Sequence, residues 1–324
     1  MTRRGYQIPN FTYPGGTPAD IFRTVAAGAQ AAEQSGFDTV LVMDHFYQLP
    51  MLGNPDDFML EAYTLLGALA SLTSTVRLGT LVTGNTYRNP AILAKEVTTL
   101  DLVSGGRAQL GIGSGWFELE HDSFGIEFGT FTDRFEKLEE ALQVILPMLR
   151  GERPTLRGEH YTITDAINEP QPLSRIPVMI GGSGEKKTLR MVAQYADCSN
   201  LTCDPSEVSR KLDALAAHCE RLGRDRAEIA VSWNRVVCLA PTTEQAIEER
   251  NTYLAMRGMD FANLPTEIQE ALDAMVLVGD PDTVGQRFVE YKELGLDGLT
   301  VSAPANGHIP ERVALLGETL AKVF

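Results

Sequence analysis

Cysteine is scarce: Cys198, Cys203, Cys219 and Cys238 are the four in 324 residues, and they form no CxxC pair. Their spacing excludes a structural zinc site and gives no disulfide framework, so the thiols read as reduced and partly buried. Long apolar runs are also missing. No window approaches the ~18 residues of a membrane span, and the opening MTRRGYQIPNF lacks the apolar stretch of a secretory signal. Basic residues are outnumbered, 28 to 43, which leaves a net charge of −15. No Lys/Arg-rich run offsets that field, which excludes nucleic acid as an expected partner. HExxH, GxSxG and paired-carboxylate motifs are absent, so metal hydrolysis and serine chemistry have no visible apparatus. What remains is a chain expected in the cytoplasm, with a small-molecule substrate and neither membrane nor nucleic acid as partner.

What is present is alternation. Short apolar runs take turns with longer segments of helical period. Gly5–Phe11, Asp38–Met43, Val76–Gly84 and Arg107–Gly113 read as the first four strands. PVMIGG, ADCSNL, Glu228–Ala240 and Asp297–Ala303 read as the last four. Helices are predicted from Thr17-Pro18-Ala19-Asp20, with Thr17 as cap and Gly36 closing the end. Others are predicted across Phe58–Leu72, after Pro90, from Thr132 to Leu149, from Glu185, from Pro205, through Pro241–Val278, from Asp280-Pro281 and from Pro310. Gly151–Pro177 breaks the pattern and reads as an insertion of hairpin character. Eight βα units in one run favour a closed (β/α)8 TIM barrel with insertions over an open doubly wound sheet. The whole of 1–324 is then one domain, with the insertion at about 151–177.

In such a barrel, chemistry sits at the C-terminal ends of the strands. Strand two ends in Asp44-His45, an acid and an imidazole behind a buried run. The imidazole can exchange a proton near neutral pH, or the pair can simply cap the next loop. Strand three ends in GTLVTGNTYRNP, where Thr80, Thr83, Asn85 and Thr86 present hydroxyls and amides to a ligand edge or to a turn. Strand four ends in GIGSGWFELEH. Its alternating glycines suit either close approach by a nucleotide or small residues in a tight barrel interior. Strand five ends in Gly181, Gly182, Ser183 and Gly184 before a helix, with Lys186 and Lys187 next. This is a phosphate cradle or a plain βα turn, and it matches neither a P-loop nor a dinucleotide fingerprint. Trp233 and Arg235 face either the site or the core.

Three segments in order, DTVLVMDHF, RLGTLVTGNTYRNPAILAKEVTTLDLVSGGRAQLGIGSGW and IPVMIGGSGEKKTLRMVAQYADCSN, resemble the luciferase-like monooxygenase superfamily, and within it the branch dependent on coenzyme F420. The resemblance implies a barrel with a deazaflavin, or alternatively FMN, at its mouth. His45 matches the histidine set near the reactive ring, and Asp44 would contact the cofactor. Thr80–Leu81 corresponds to the place of a non-proline cis peptide that bulges toward the ring. Thr83 and Asn85 would hydrogen-bond ring or tail, Trp116 would line the cofactor site, and Gly181, Gly182, Ser183 and Gly184 would hold the phosphate. Sugar-phosphate dehydrogenases of this branch carry a glutamate acid near the position of Trp116, with Glu120 close by, so glucose 6-phosphate is not assigned from the sequence.

The expected activity is therefore F420-dependent hydride transfer to or from a small organic substrate, with His45 assisting proton transfer and the chain pairing as a homodimer. Three rivals stand beside it. One is an FMN-dependent monooxygenase fed by a partner flavin reductase, another a sugar-phosphate-binding barrel lyase or isomerase, and the last a sensor that binds cofactor without turnover.

Overall fold

The computed structural model describes residues 3–324. In chain order its elements are β1 (Arg4–Ile8), α1 (Ile21–Gln34), β2 (Thr39–Val42), α2 (Ala62–Ala70), β3 (Arg77–Thr80), β4 (Thr83–Gly84), α3 (Pro90–Val103), β5 (Ala108–Gly113), α4 (Glu118–Phe124) and α5 (Phe131–Leu149). They continue with β6 (Leu156–Arg157), β7 (Thr162–Ile163), β8 (Val178–Gly181), α6 (Thr188–Tyr195), β9 (Cys198–Leu201), α7 (Val208–Leu222) and β10 (Ala230–Leu239). The last are α8 (Thr243–Met256), α9 (Thr266–Met275), β11 (Val276–Gly279), α10 (Pro281–Glu293), β12 (Gly298–Ser302) and α11 (Pro310–Ala321). All eight expected strands are present, each followed by helix, and the topology is that of a (β/α)8 barrel. Among the described residues no helix is long and apolar enough to cross a membrane.

The chain divides into two compact units. One comprises Val42–Phe46 and Glu61–Ala230. Its strands run β3-β5-β8-β9, all parallel, with Leu110 opposite Val178 and Met179 opposite Cys198. Leu78, Leu110, Ile112, Met179 and Ile180 are fully buried, as continuous apolar runs in a two-sided parallel sheet must be. The α3 stripe Leu93, Val97, Leu100 and the α5 stripe Leu138, Leu142, Ile145 are buried as their spacing requires. The other unit holds the described residues up to Leu41, Tyr47–Leu60 and Val231–Phe324. There β12 pairs with both β1 and β10, and β10 also pairs with β11. Trp233 is buried edge-on against Tyr291, and the Arg235 guanidinium lies 4.6 Å over the Trp233 ring, which assigns both to packing.

Several boundaries depart from the sequence expectation. Thr17 does not cap α1; Asp20 occupies the cap position and its carboxylate instead accepts the Thr17 hydroxyl and N–H. The helix expected across Phe58–Leu72 begins at Ala62, where the Glu61 carboxylate receives the N–H groups of Tyr63 and Thr64. The one expected from Glu185 begins at Thr188 after a turn. The stretch Pro241–Val278 is not helical throughout, since Val276–Gly279 forms β11. Helix α4 was not anticipated at all. The insertion does carry an antiparallel hairpin, β6–β7. The Glu140 carboxylate on α5 ties it down by accepting the N–H groups of Glu159, His160 and Tyr161 at 2.7, 3.0 and 2.9 Å. The cysteines are free, and burial pushes the Cys238 thiol up to about 12.

Candidate active site

Every site residue predicted from the sequence lies within the first unit. The chain leaves β2 at Val42 and delivers Asp44 and His45 directly. Asp44 is buried, and both its oxygens are engaged inside the protein. Arg88 donates to them at 2.7 and 2.9 Å, and the Gly84 N–H adds a bond of 3.1 Å. Arg88 also pairs with Glu61 at 2.9 Å and Glu96 at 3.1 Å. Burial opposes the Arg88 charge, but the Asp44 carboxylate beside it overrides that and holds the guanidinium above its ordinary value. Asp44 and Arg88 thus pin the strand-two rim to the turn after β4.

His45 is turned to a different partner. Its Nδ1 lies 2.9 Å from Glu120 Oε2, and its ring stands edge-on to Trp116 and Phe117 at 5.8 and 5.9 Å. Glu120 is fully buried on α4. Its carboxylate also accepts the Phe46 N–H on Oε1 and the Tyr87 hydroxyl on Oε2. Burial, and then the bond to Glu120, push the Tyr87 hydroxyl well above its ordinary value, so it stays a donor. The Nε2 of His45 takes no protein partner among the described residues, and the His45 side chain is 12% exposed. His121 differs: it is fully buried, with Nδ1 on the Phe117 carbonyl and Nε2 on the Thr86 hydroxyl, so it braces the loop.

At the strand-three rim, Thr80 and Thr83 are buried and knitted together at 2.7 Å. Thr80 also donates to the Gly111 carbonyl, and Thr83 shares a 2.7 Å bond with Tyr63. The non-proline cis peptide is one position later than expected, between Leu81 and Val82 rather than Thr80 and Leu81. The reason is packing: Thr80 ends β3 and stays in the sheet, and the chain turns through Leu81–Val82 before re-pairing at Thr83. Val82 is the residue that points at the glycines. A Cβ on Gly113 or on Gly181 would come within 2.9 Å of its methyl groups. A Cβ on Gly111 would lie 2.0 Å from the Thr80 carbonyl oxygen, so the strand-four glycines make room for close-packed protein atoms, the tight-interior alternative of the sequence reading.

Asn85 is buried, donates weakly to the Tyr161 hydroxyl of the hairpin at 3.5 Å, and leaves its Oδ1 without a partner among the described residues. Trp116 is 53% exposed. At the end of β8, Gly182 has φ of +112° and gives its N–H to the Asn200 carbonyl. Ser183 exchanges hydrogen bonds with the Thr202 backbone at 2.7 and 2.9 Å, and Gly184 is exposed. Lys187 lies 5.4 Å over the rings of Phe131 and Phe135. The sequence reading did not reach Tyr87 and Arg88, and it left Glu120 without a role.

Residues 2–298 match the luciferase-like monooxygenase family. The chain belongs to that family. It is 30% identical over 307 residues to the F420-dependent glucose-6-phosphate dehydrogenase of Microbacterium testaceum, covering 89% of each chain. Among solved structures it is similar to the F420-dependent tetrahydromethanopterin reductase of Methanopyrus kandleri, with a TM-score of 0.74, 20% identity and 99% of each chain covered. It is also similar to the EDTA monooxygenase of Chelativorans sp., with a TM-score of 0.79, 17% identity and coverage of 100% of this chain and 95% of that one. The two structural likenesses speak to the barrel fold.

Proposed function

We propose that this family member is an F420-dependent oxidoreductase that moves a hydride between the deazaflavin and a small organic substrate, with His45 exchanging the accompanying proton. The observation that carries the proposal is the asymmetry of His45, with Nδ1 held and Nε2 unpartnered, in a chain 30% identical to an F420-dependent dehydrogenase. The residues present fit the cofactor. Asn85 Oδ1 is a buried acceptor with no partner, suited to a donor on the ring or tail. Gly182, Ser183 and Gly184 are on a loop suited to a phosphate, with Lys186 and Lys187 adjacent. Trp116, 53% exposed, and Leu81 would face the cofactor, while Thr80 and Thr83 spend their hydroxyls on each other, Tyr63 and the Gly111 carbonyl and support the rim from within, as Asp44 does through Arg88. Bound F420 would supply the two-electron carrier; the protein supplies orientation and the proton site. Glucose 6-phosphate is not carried over from the relative, because the resemblance implies a glutamate acid near the position where this chain has Trp116. A cytoplasmic homodimer belongs to the same proposal on family resemblance alone.

Binding of F420 tests the cofactor assignment, and Gly182 tests the phosphate site. Any side chain at φ +112° is strained, so the informative quantity is a difference. Gly182→Asp is expected to weaken F420 binding roughly tenfold more than Gly182→Ala, from charge repulsion at the phosphate. Equal losses in a fluorescence titration would move the phosphate elsewhere.

A further inference from the structure

The Glu120 carboxylate meets its neighbours with a fixed division of labour. Oε1 receives the Phe46 backbone N–H, while Oε2 receives Tyr87 and faces His45 Nδ1. The Phe46 and Tyr87 hydrogens both favour the ionised, acceptor-only form of Glu120. Nδ1 must then carry the hydrogen, and the lone pair of the neutral ring is left on Nε2.

We propose that Glu120 is a positioning residue that fixes His45 in the Nδ1–H tautomer, so that Nε2 is the atom that accepts the substrate's proton. The proposal rests on His45 being the proton-exchanging group of the reading above. It also names a direction. An unprotonated Nε2 is set to take a proton, which suits a substrate that loses one as it gives up hydride, such as a hydroxyl compound oxidised to a carbonyl. In that step the C–H bond breaks with its electron pair going to the oxidised deazaflavin. The O–H bond breaks with its proton going to Nε2, and C=O forms.

The Phe46 N–H makes the proposal sharp, because it cannot rotate away. In Glu120→Gln the amide must keep its oxygen toward Phe46, which places the NH2 group where Oε2 was. An NH2 group there donates to Nδ1 and forces the hydrogen to Nε2. The substitution is isosteric, so the fold is retained while the tautomer inverts. Tyr87→Phe removes a donor from Oε2 without adding one, and the Nδ1–H tautomer is retained.

The test uses protein with 15N-labelled histidine, free of cofactor and substrate, in long-range 1H–15N correlation at about pH 9, above the ordinary imidazole range. His45 is assigned by its absence in His45→Ala. The expected result is a protonated Nδ1 in the natural protein and in Tyr87→Phe, and a switch to protonated Nε2 in Glu120→Gln. Protonated Nε2 in the natural protein would overturn the proposal, because Glu120 would then carry the hydrogen. An unchanged tautomer in Glu120→Gln would overturn it equally. No cofactor is present, so failure here is separate from failure of F420 to bind. Once a substrate is in hand, Glu120→Gln is expected to slow the proton-coupled step by roughly 10²–10⁴-fold with KM little changed.

Discussion

His45→Ala is expected to leave F420 affinity nearly unchanged while the single-turnover hydride-transfer rate falls by roughly 10²–10⁴-fold, the usual contribution of a positioned acid–base group. The separation follows from the geometry. The Nδ1 side of the ring is engaged with Glu120, and the ring rests on Trp116 and Phe117. Its truncation therefore removes a proton site and leaves the glycine loop after β8 and Asn85 intact. Rapid mixing of enzyme with F420 and an identified substrate reads the rate directly. Unchanged turnover would remove His45 from the chemistry. A lost rate together with lost cofactor affinity would make His45 part of the binding surface instead.

The second large effect concerns stability. Arg88→Met is expected to destabilise the protein by about 3–5 kcal/mol, because it leaves a buried carboxylate without its charge partner. Asp44 would keep only the Gly84 N–H, and Glu61 and Glu96 would face each other without the guanidinium between them. The double variant Arg88→Met/Asp44→Asn is expected to recover much of the loss, since the buried group is then neutral. Denaturant midpoints of the single and double variants measure this. A single variant within about 0.5 kcal/mol of the natural protein would place the ion pair among those worth little.

The fold was legible because each strand is a short apolar run bounded by turn residues, and burial on both faces demands such runs. The last helices were legible for a similar reason: Asp280-Pro281 and Pro310 mark their starts, and Val284, Phe288 and Tyr291 are all buried. Strand β11 was hidden because Val276–Gly279 follows the apolar face of α9 without a break, and a four-residue run has too little period to separate strand from helix. Helix α4 spans only seven residues, and it buries Glu120 and His121 while Leu119 and Phe124 stay exposed, so no apolar stripe announces it. In the site, His45 stood out by ending a buried strand. Glu120 did not, because 75 positions separate it from His45 and only the fold brings them together. Arg88 was missed for the same reason, with 44 positions between it and Asp44. The cis peptide was misplaced by one residue, since nothing in Thr80-Leu81-Val82 says which side chain the glycines at 113 and 181 make room for.

The central claim is the cofactor, and a binding titration of the purified protein with F420 and, separately, with FMN tests it most directly. Saturable F420 binding with much weaker FMN binding is the predicted result. Tight FMN binding with weak F420 binding would contradict the account and turn attention to a reductase partner and oxygen consumption; binding of neither would leave the barrel and its family standing without the proposed chemistry.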